Sequence, residues 1–424
     1  MFKKLDRNSL IFYGGILAVF VIVQVLISIN VLTAFWNTII RLGGVMAIVS
    51  LGLNLIYGFN GQFSLGQWGF YAIGAYAAAD ITYRWTNDGS TAGLTVLFFA
   101  VLLVGAAIVV LYRTLSRIPG LDTLSAFTVY LVAAVGLTIA AVQIGRVVAL
   151  PINAALMGLP PDISNTIIFV LAVLVGGILA AEVSFLFGLP ILTLGSDYFG
   201  IATLGFTIIV KVLLDNSDTL LGFAEMKGAR GMIGIPKLTS WFWVMFFLVL
   251  TVIITRNLLH SSYGRAIVSV REDEIAAKAM GIDVSYYKTL TFVLGSLFAG
   301  LAGGLYAHVN GFLHPDTFNF IKSFDPMIVV VFGGLGSVTG TIFASFAWAL
   351  VLEGLLRLIL PSGFETWRFV VYPLLLLVMM LLKPNGLFGN YEMPFLRQVL
   401  PRLGLKGSAS ADKPATPPVE EASS

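Results

Sequence analysis

The sequence predicts an all-α fold, a polytopic transmembrane helix bundle of about 10–12 spans with broken or re-entrant segments. Three observations predict it. Hydrophobic residues make up 58% of the chain and charged residues only 11%, against roughly a quarter charged in soluble domains. Uncharged apolar stretches recur at the length of about 20 residues that a helix needs to cross a hydrocarbon layer. The basic residues gather in short blocks between those stretches, as loop anchors do. A net charge of +3 is too small to suggest a nucleic-acid partner. With 0 Cys there is no disulfide and no thiolate chemistry, so redox compartment is undetermined.

The elements follow in order. Lys3, Lys4 and Arg7 precede an apolar run over 9–29. That run is longer than a signal-peptide core and lacks a small-x-small cleavage site, so it reads as a first spanning anchor. Further spans are predicted at 38–57, 68–81, 92–112, 124–150, 164–187, 198–214, 238–254, 290–309, 338–358 and 366–382, with a shorter apolar piece at 325–334. The Lys and Arg blocks at 3–7, 113–117, 256–288 and 383–406 place both termini of a multi-pass membrane protein in the cytoplasm. Both termini inside require an even number of crossings, which makes 325–334 the candidate for a short or broken one. The permease domain is read as 1–390. Residues 391–424 form a cytoplasmic tail, too polar from about 407 onward to order itself.

One polar interruption stands out, at 256–288. Within it, acids at Glu272, Asp273 and Glu274, Lys278 late and Gly281 as a stop predict one short helix over 272–280 lying outside the bilayer. Ile275, Ala276, Ala279 and Met280 share a face. Two readings stay open here: a helix that docks into a partner groove, or a loop helix that packs on its own bundle.

Two Gly-rich interruptions lie inside the membrane pattern, Asn60-Gly-Gln-Phe-Ser-Leu-Gly-Gln67 and Gly333-Gly-Leu-Gly-Ser-Val-Thr-Gly340. Irregular backbone at membrane depth is tolerated only inside protein or along a wet cavity, and paired interruptions point to a midplane path. Asn54, Asn60, Gln62, Ser64, Gln67, Ser337 and Thr339 are therefore the candidates to line or gate a translocation path. Ser296, Gly300 and Gly304, and likewise Gly336, Gly340 and Ala344, form small-xxx-small ladders suited to close helix packing. Among intramembrane charges Glu182 is deepest, while Arg41, Lys211, Glu353 and Arg357 lie nearer span ends and read as structural. His260, His308 and His314 have no metal-binding spacing, and no Gly-Lys dipeptide exists to build a phosphate loop. Neither a catalytic residue nor a metal site is assigned, and the chain is not read as an enzyme.

The run Gly264-Arg-Ala-Ile267, Arg271-Glu-Asp-Glu-Ile-Ala-Ala-Lys-Ala-Met-Gly281 and Tyr287-Lys-Thr-Leu-Thr-Phe292 resembles the cytoplasmic coupling loop of membrane subunits of branched-chain amino acid ABC importers. Leu51 to Tyr76, Ser196-Asp-Tyr-Phe-Gly-Ile-Ala-Thr-Leu-Gly-Phe206 and Phe332-Gly-Gly-Leu-Gly-Ser-Val-Thr-Gly340 are similar to the same family in the same order. The interval 113–161 is longer than the family's, and 227–236 matches it only loosely. The resemblance implies that Gly264, Arg265, Arg271, Glu272, Asp273, Glu274, Ala276, Ala277 and Gly281 form a loop that docks on an ATPase. It also implies two ABC ATPase subunits, a second homologous permease subunit and an extracytoplasmic solute-binding protein as partners, besides membrane lipid. ATP is used by the partner subunits, and this chain binds no cofactor. The implied solutes are leucine, isoleucine and valine. Urea or short amides are the second choice and a simple sugar the third. A self-sufficient secondary transporter or channel is the rival class, weakened by the near absence of charge in the deep helices.

Overall fold

A computed structural model describes residues 7–115, 123–192, 196–219 and 224–359, together with 374, 377, 378, 381–383, 386–388 and 392. In lipid a backbone must satisfy its own hydrogen bonds, so apolar spans become helices. They do so here as α1 (Arg7–Ser28), α2 (Ala34–Leu53), α3 (Gln67–Asp88), α4 (Ala92–Leu115), α5 (Thr123–Met157), α6 (Pro161–Ile191), α7 (Ser196–Asp215) and α8 (Trp241–His260). After two short helices, α9 (Ser262–Glu272) and α10 (Glu274–Ala279), come α11 (Val284–Asn310), α12 (Phe324–Gly333) and α13 (Val338–Trp348). The helix of α2 widens into a π-helical stretch over Asn54–Phe59, and that of α13 does the same over Ala349–Leu355 before a last turn, Leu356–Ile359. Among the described residues, 8 helices are long and apolar enough to cross a membrane.

The centre is built by α2, α3, α6 and α11, whose large buried side chains include Ile48, Phe70, Phe169 and Phe298. α3 is less apolar than its neighbours yet is the most enclosed, because its inward positions are small: Ala72, Ala75, Ala78 and Ala79 are fully buried. Glycine brings it against α11. A Cβ placed on Gly74 would lie 2.1 Å from the carbonyl oxygen of Gly300, so neither helix could approach as closely with a side chain there. Gly300 also faces Gly177 and Ala180 of α6, and Gly304 faces Ala78 and Val173. α3 runs on past the predicted 68–81, because Arg84 in its last turns is neutralised by Asp80 one turn earlier, N to O 3.0 Å.

Within the interval 113–161 the chain folds as α5, of whose spanning window only 11% is buried. α5 is held to α4 by the Thr95 hydroxyl, which donates to the Gly145 carbonyl at 2.9 Å, and by the Thr91 N–H, which donates to Asn153 Oδ1 at 2.7 Å.

The bundle has two distinct ends. One carries α9 and α10. At the other, β1 (Met232–Ile233) pairs antiparallel with β2 (Phe312–Leu313), and Lys211 reaches Asp215 at 2.7 Å and Asp316 at 3.1 Å. From β2 the chain descends through two 3-10 turns, Pro315–Phe318 and Phe320–Ser323, to the ten-residue α12. At the level of α3's first turn the Trp68 indole donates to the Thr317 carbonyl at 2.8 Å. The short piece predicted at 325–334 is thus the helical half of a longer broken passage. The predicted span 366–382 and the tail from 393 onward lie almost wholly outside the described residues.

Candidate functional site

The polar interruption does not fold as one helix over 272–280. α9 occupies Ser262–Glu272 and α10 Glu274–Ala279, separated by Asp273 in an extended conformation, φ −159° and ψ 110°. The Asp273 carboxylate accepts from the N–H groups of Ile275 at 2.8 Å and Ala276 at 3.0 Å. An aspartate that can cap a helix competes with continuing one, so Glu272 closes α9 and Asp273 opens α10. Gly281 has φ +82°. Its N–H donates to Lys278 O at 3.0 Å and that of Ile282 to Ala277 O at 3.1 Å, the two-bond stop that favours glycine.

α9 buries Gly264, Ala266, Ile267, Val268 and Val270 and exposes Arg265. Gly264 lies where a Cβ would meet the backbone of Leu259 at 2.4 Å. α10 turns only Ala277 inward, and Glu274 pairs with Lys288 at the start of α11. Its other apolar side chains are left outside: Ile275 is 83% and Met280 82% exposed, and Ala276 and Ala279 are exposed beside them.

Arg271, at the end of α9, connects this loop to the broken helix. Its Nη1 donates to the Gly58 carbonyl at 2.7 Å while Nη2 pairs with Glu272 at 3.0 Å. Gly58 lies in the π-helical stretch after α2, where its carbonyl takes the guanidinium as partner. Gly61, with φ +76°, lies directly under the Arg271 side chain, its Cβ position 3.0 Å from Arg271 Cγ.

The same stretch is stapled to the turn between α12 and α13. Asn54 Oδ1 accepts from the Gly336 N–H at 2.9 Å, and its Nδ2 donates to Ser337 O and to Thr341 Oγ1, both at 3.0 Å. Gly58 must stay bare, since a Cβ there would lie 1.8 Å from Asn54 Oδ1 and 2.6 Å from Gly336 N. Gly336 is not on a helix face, contrary to the packing ladder read from the sequence. It precedes α13 with φ +78° and forms the turn itself. Gly340 does pack, against Gly333 across the hairpin, and Ser337 Oγ accepts from its N–H at 2.9 Å.

Sequence reading missed Glu392, which it placed in the tail. Glu392 is buried, and its carboxylate accepts from Val338 N at 2.6 Å, Thr339 N at 3.3 Å and Thr339 Oγ1 at 2.7 Å. It thus answers the positive N-terminal end of α13. Burial pushes its carboxyl above the ordinary range, and hydrogen bonds from Thr339, Val338 and Ser337 pull in the opposite direction. The one available signal was that α13 begins in Ser-Val-Thr with no acid of its own.

Between α2 and α3 the polar side chains behave differently. Asn60 Nδ2 donates to Thr291 Oγ1 at 2.9 Å, and Ser64 Oγ accepts from Gly66 N at 3.3 Å. The backbone is held by α7: Leu65 N donates to Thr203 Oγ1 at 3.0 Å, and Thr207 Oγ1 donates to Leu65 O at 3.2 Å. Asn60 Oδ1, Gln62 Oε1 and both amide atoms of Gln67 have no partner although all three residues are buried, Gln67 to 1% exposure. Such orphaned groups are rare in interiors.

The family described as branched-chain amino acid transport system / permease component matches residues 35–169 and 120–380. The chain belongs to that family. Its LivM relative, a high-affinity branched-chain amino acid transport system permease protein of Escherichia coli K12, is 30% identical over 275 residues, 57% of this chain and 60% of the relative. The probable LivM permease of Methanocaldococcus jannaschii is 26% identical over 240 residues, 52% and 68% of the two chains. The LivH permease of Salmonella typhimurium LT2 is 28% identical over 180 residues, 42% and 55%. The match spans about 60% of the length of the LivM relatives of E. coli and S. typhimurium. No solved structure matches.

As a permease of this family the chain is a multi-pass membrane protein. Its two matched stretches overlap over 120–169, which is α5 and the start of α6. Among the described residues no group of three or more metal-binding side chains occurs. The buried His308 is engaged in packing, bonded to Thr82 Oγ1 at 2.8 Å and to Gly304 O at 2.7 Å.

Proposed function

We propose that this permease is the membrane subunit of an ATP-driven importer in the bacterial inner membrane, passing leucine, isoleucine or valine from an extracytoplasmic binding protein into the cell. The α9–α10 end and both termini face the cytoplasm. Two ABC ATPase subunits dock there, and a second permease subunit, LivH-like, completes the path. ATP stays on the ATPases. The names of the LivM and LivH relatives support the solute and the paired permease.

One observation carries the reading: α10 presents Ile275 and Met280 to water on a capped, ion-paired helix whose neighbour Arg271 holds the broken helix at Gly58. Exposed apolar side chains on a rigid short helix suit a partner groove. When ATPase closure moves α10, the pull passes through Arg271 to the 54–61 stretch and through Asn54 to the 336–341 turn. Both Gly-interrupted segments then shift together, and the orphaned amides of Gln62 and Gln67 offer donors and acceptors to a polar solute or its water.

The test is Ile275→Asp with Met280→Asp. Both side chains are exposed, so the variant is expected to insert and melt like the parent. ATPase association and ATP-dependent leucine uptake should both fall at least about ten-fold, the cost of removing apolar anchors from a small interface. Undiminished uptake with the ATPase still bound would overturn the docking role.

A further inference from the structure

At the end of the bundle opposite α9–α10, where α1 ends and α2 and α8 begin, lies a cavity of about 250 Å³ that the transport reading does not use. Its lining includes Gln24, Asn37, Arg41, Lys237, Ser240 and Trp241, and it contains no acid. Arg41 spends three N–H donors on Asn37 O at 3.3 Å, Thr239 O at 2.8 Å and Thr38 Oγ1 at 3.4 Å. A guanidinium has five, so two are left. Among the described residues no carboxylate pairs with Arg41 or Lys237. α8 starts here without a side-chain cap from Ser240, which leaves the positive end of a 20-residue helix beside the two cations. Trp241, only 4% exposed, has an indole N–H with no partner. Two cations, an uncapped helix start and an orphaned donor around one cavity describe a built anion site.

We propose that this cavity binds the phosphodiester headgroup of an anionic phospholipid. Three helix ends meet at its level, which is where headgroups lie relative to a spanning bundle. Val25 of α1 and Phe242 of α8, beside the lining, and Val21 and Phe246, about a turn further toward the middle of the spans, are each about half exposed. Phe20 and Phe242 hold the two helices together, ring centroids 6.2 Å apart. Acyl chains have an apolar track leading from the site, which a free anion would not need. The site does not depend on the importer reading.

The full-length chain, purified in an uncharged detergent, is titrated with short-chain phosphatidylglycerol and with phosphatidylcholine of the same chain length, and the bound phosphatidylglycerol is challenged with inorganic phosphate and with leucine. Bound lipid is read by native mass spectrometry and by the shift in melting temperature. Phosphatidylglycerol is expected to bind the parent, the control Arg230→Gln at an exposed cation outside the cavity lining, and the charge-keeping Arg41→Lys with Lys237→Arg, and to bind Arg41→Gln with Lys237→Gln at least about ten-fold more weakly, as lost charge-assisted bonds predict. Should the double variant fold poorly, Lys237→Gln alone, at an exposed side chain, is expected to weaken binding several-fold. Equal phosphatidylglycerol binding by the neutralised variants, or equal binding of phosphatidylcholine by the parent, overturns the anion site. Displacement of phosphatidylglycerol by an equal concentration of inorganic phosphate or leucine overturns the lipid assignment.

Discussion

Asn54, just after α2, and Gln67, the first residue of α3, are both buried carboxamides at the two ends of one interrupted stretch, and the structure treats them in opposite ways. Asn54 uses its oxygen and its nitrogen on Gly336, Ser337 and Thr341, three partners nearly 300 residues away in sequence. Gln67 has none for either atom. A buried amide with all its bonds made stabilises a junction, whereas one left bare costs about 1–3 kcal/mol of desolvation. The difference separates a buried amide that ties two segments together from one that ties nothing. Residues 54–58 are a joint between two Gly-interrupted segments. Residues 60–67 leave Asn60 Oδ1, Gln62 Oε1 and both amide atoms of Gln67 without a protein partner.

The largest effect that follows is on the joint. Asn54→Leu leaves the Gly336 N–H and the Ser337 carbonyl without their partner, and should lower stability by about 2–4 kcal/mol, read as the melting temperature of the detergent-solubilised chain. Gln67→Leu removes orphaned atoms from an enclosed site, so it should change stability by less than about 1 kcal/mol or raise it. Leucine uptake in vesicles should nevertheless fall at least about ten-fold if the amide serves the path. Equal destabilisation by the two substitutions would erase the distinction between joint and path, and a Gln67→Leu protein with full uptake would return Gln67 to packing.

A smaller effect is expected at the link between joint and loop. Arg271 is partly exposed, so Arg271→Lys should cost little stability, about 1 kcal/mol or less. Lysine cannot span Gly58 O and Glu272 as a planar fork does. ATPase subunits should still bind the variant while their hydrolysis runs without proportionate uptake. Preserved coupling, measured as leucine moved per ATP, would show that force reaches the broken helices by another route.

How much of this was legible in the sequence follows from what each feature depends on. Several span positions were, because lipid imposes length and polarity locally: the run at 92–112 is α4 and that at 198–214 is α7, each within a few residues, whereas those at 9–29 and 68–81 are not among the eight helices long and apolar enough to cross. Helix ends were less so. α3 continues to Asp88 because Arg84 is neutralised by Asp80 and Glu225, the latter from a loop far along the chain. The loop at 256–288 was visible as a polar interruption, but its division into two helices turns on the capping geometry of Asp273. α9 was missed because its buried residues at 264, 266–268 and 270 are interleaved with Arg265, Ser269 and Arg271. The Asn54 staple and the Arg271 contact are tertiary, between segments more than 200 residues apart, and no local pattern announces them. Gly336 looked like a rung of a packing ladder because spacing alone cannot tell a turn from a helix face.

The smallest effect belongs to Glu392, which sits at the same junction but joins it from outside the spans. Burial raises its carboxyl above the ordinary value of 4.5. A group whose pKa is higher when folded than when unfolded is favoured in its protonated form. Its contribution to docking is therefore fully present below about pH 4.5 and is lost as pH rises through the folded value. Glu392→Gln keeps an acceptor oxygen for Val338 or Thr339 without the titrating proton. Its melting temperature should therefore be flatter than the parent's over that window and should match or slightly exceed the parent's at neutral pH. A parent whose stability instead rises through the same window would mean that the three donors at the start of α13 outweigh burial, and that the carboxylate is held there as an anion.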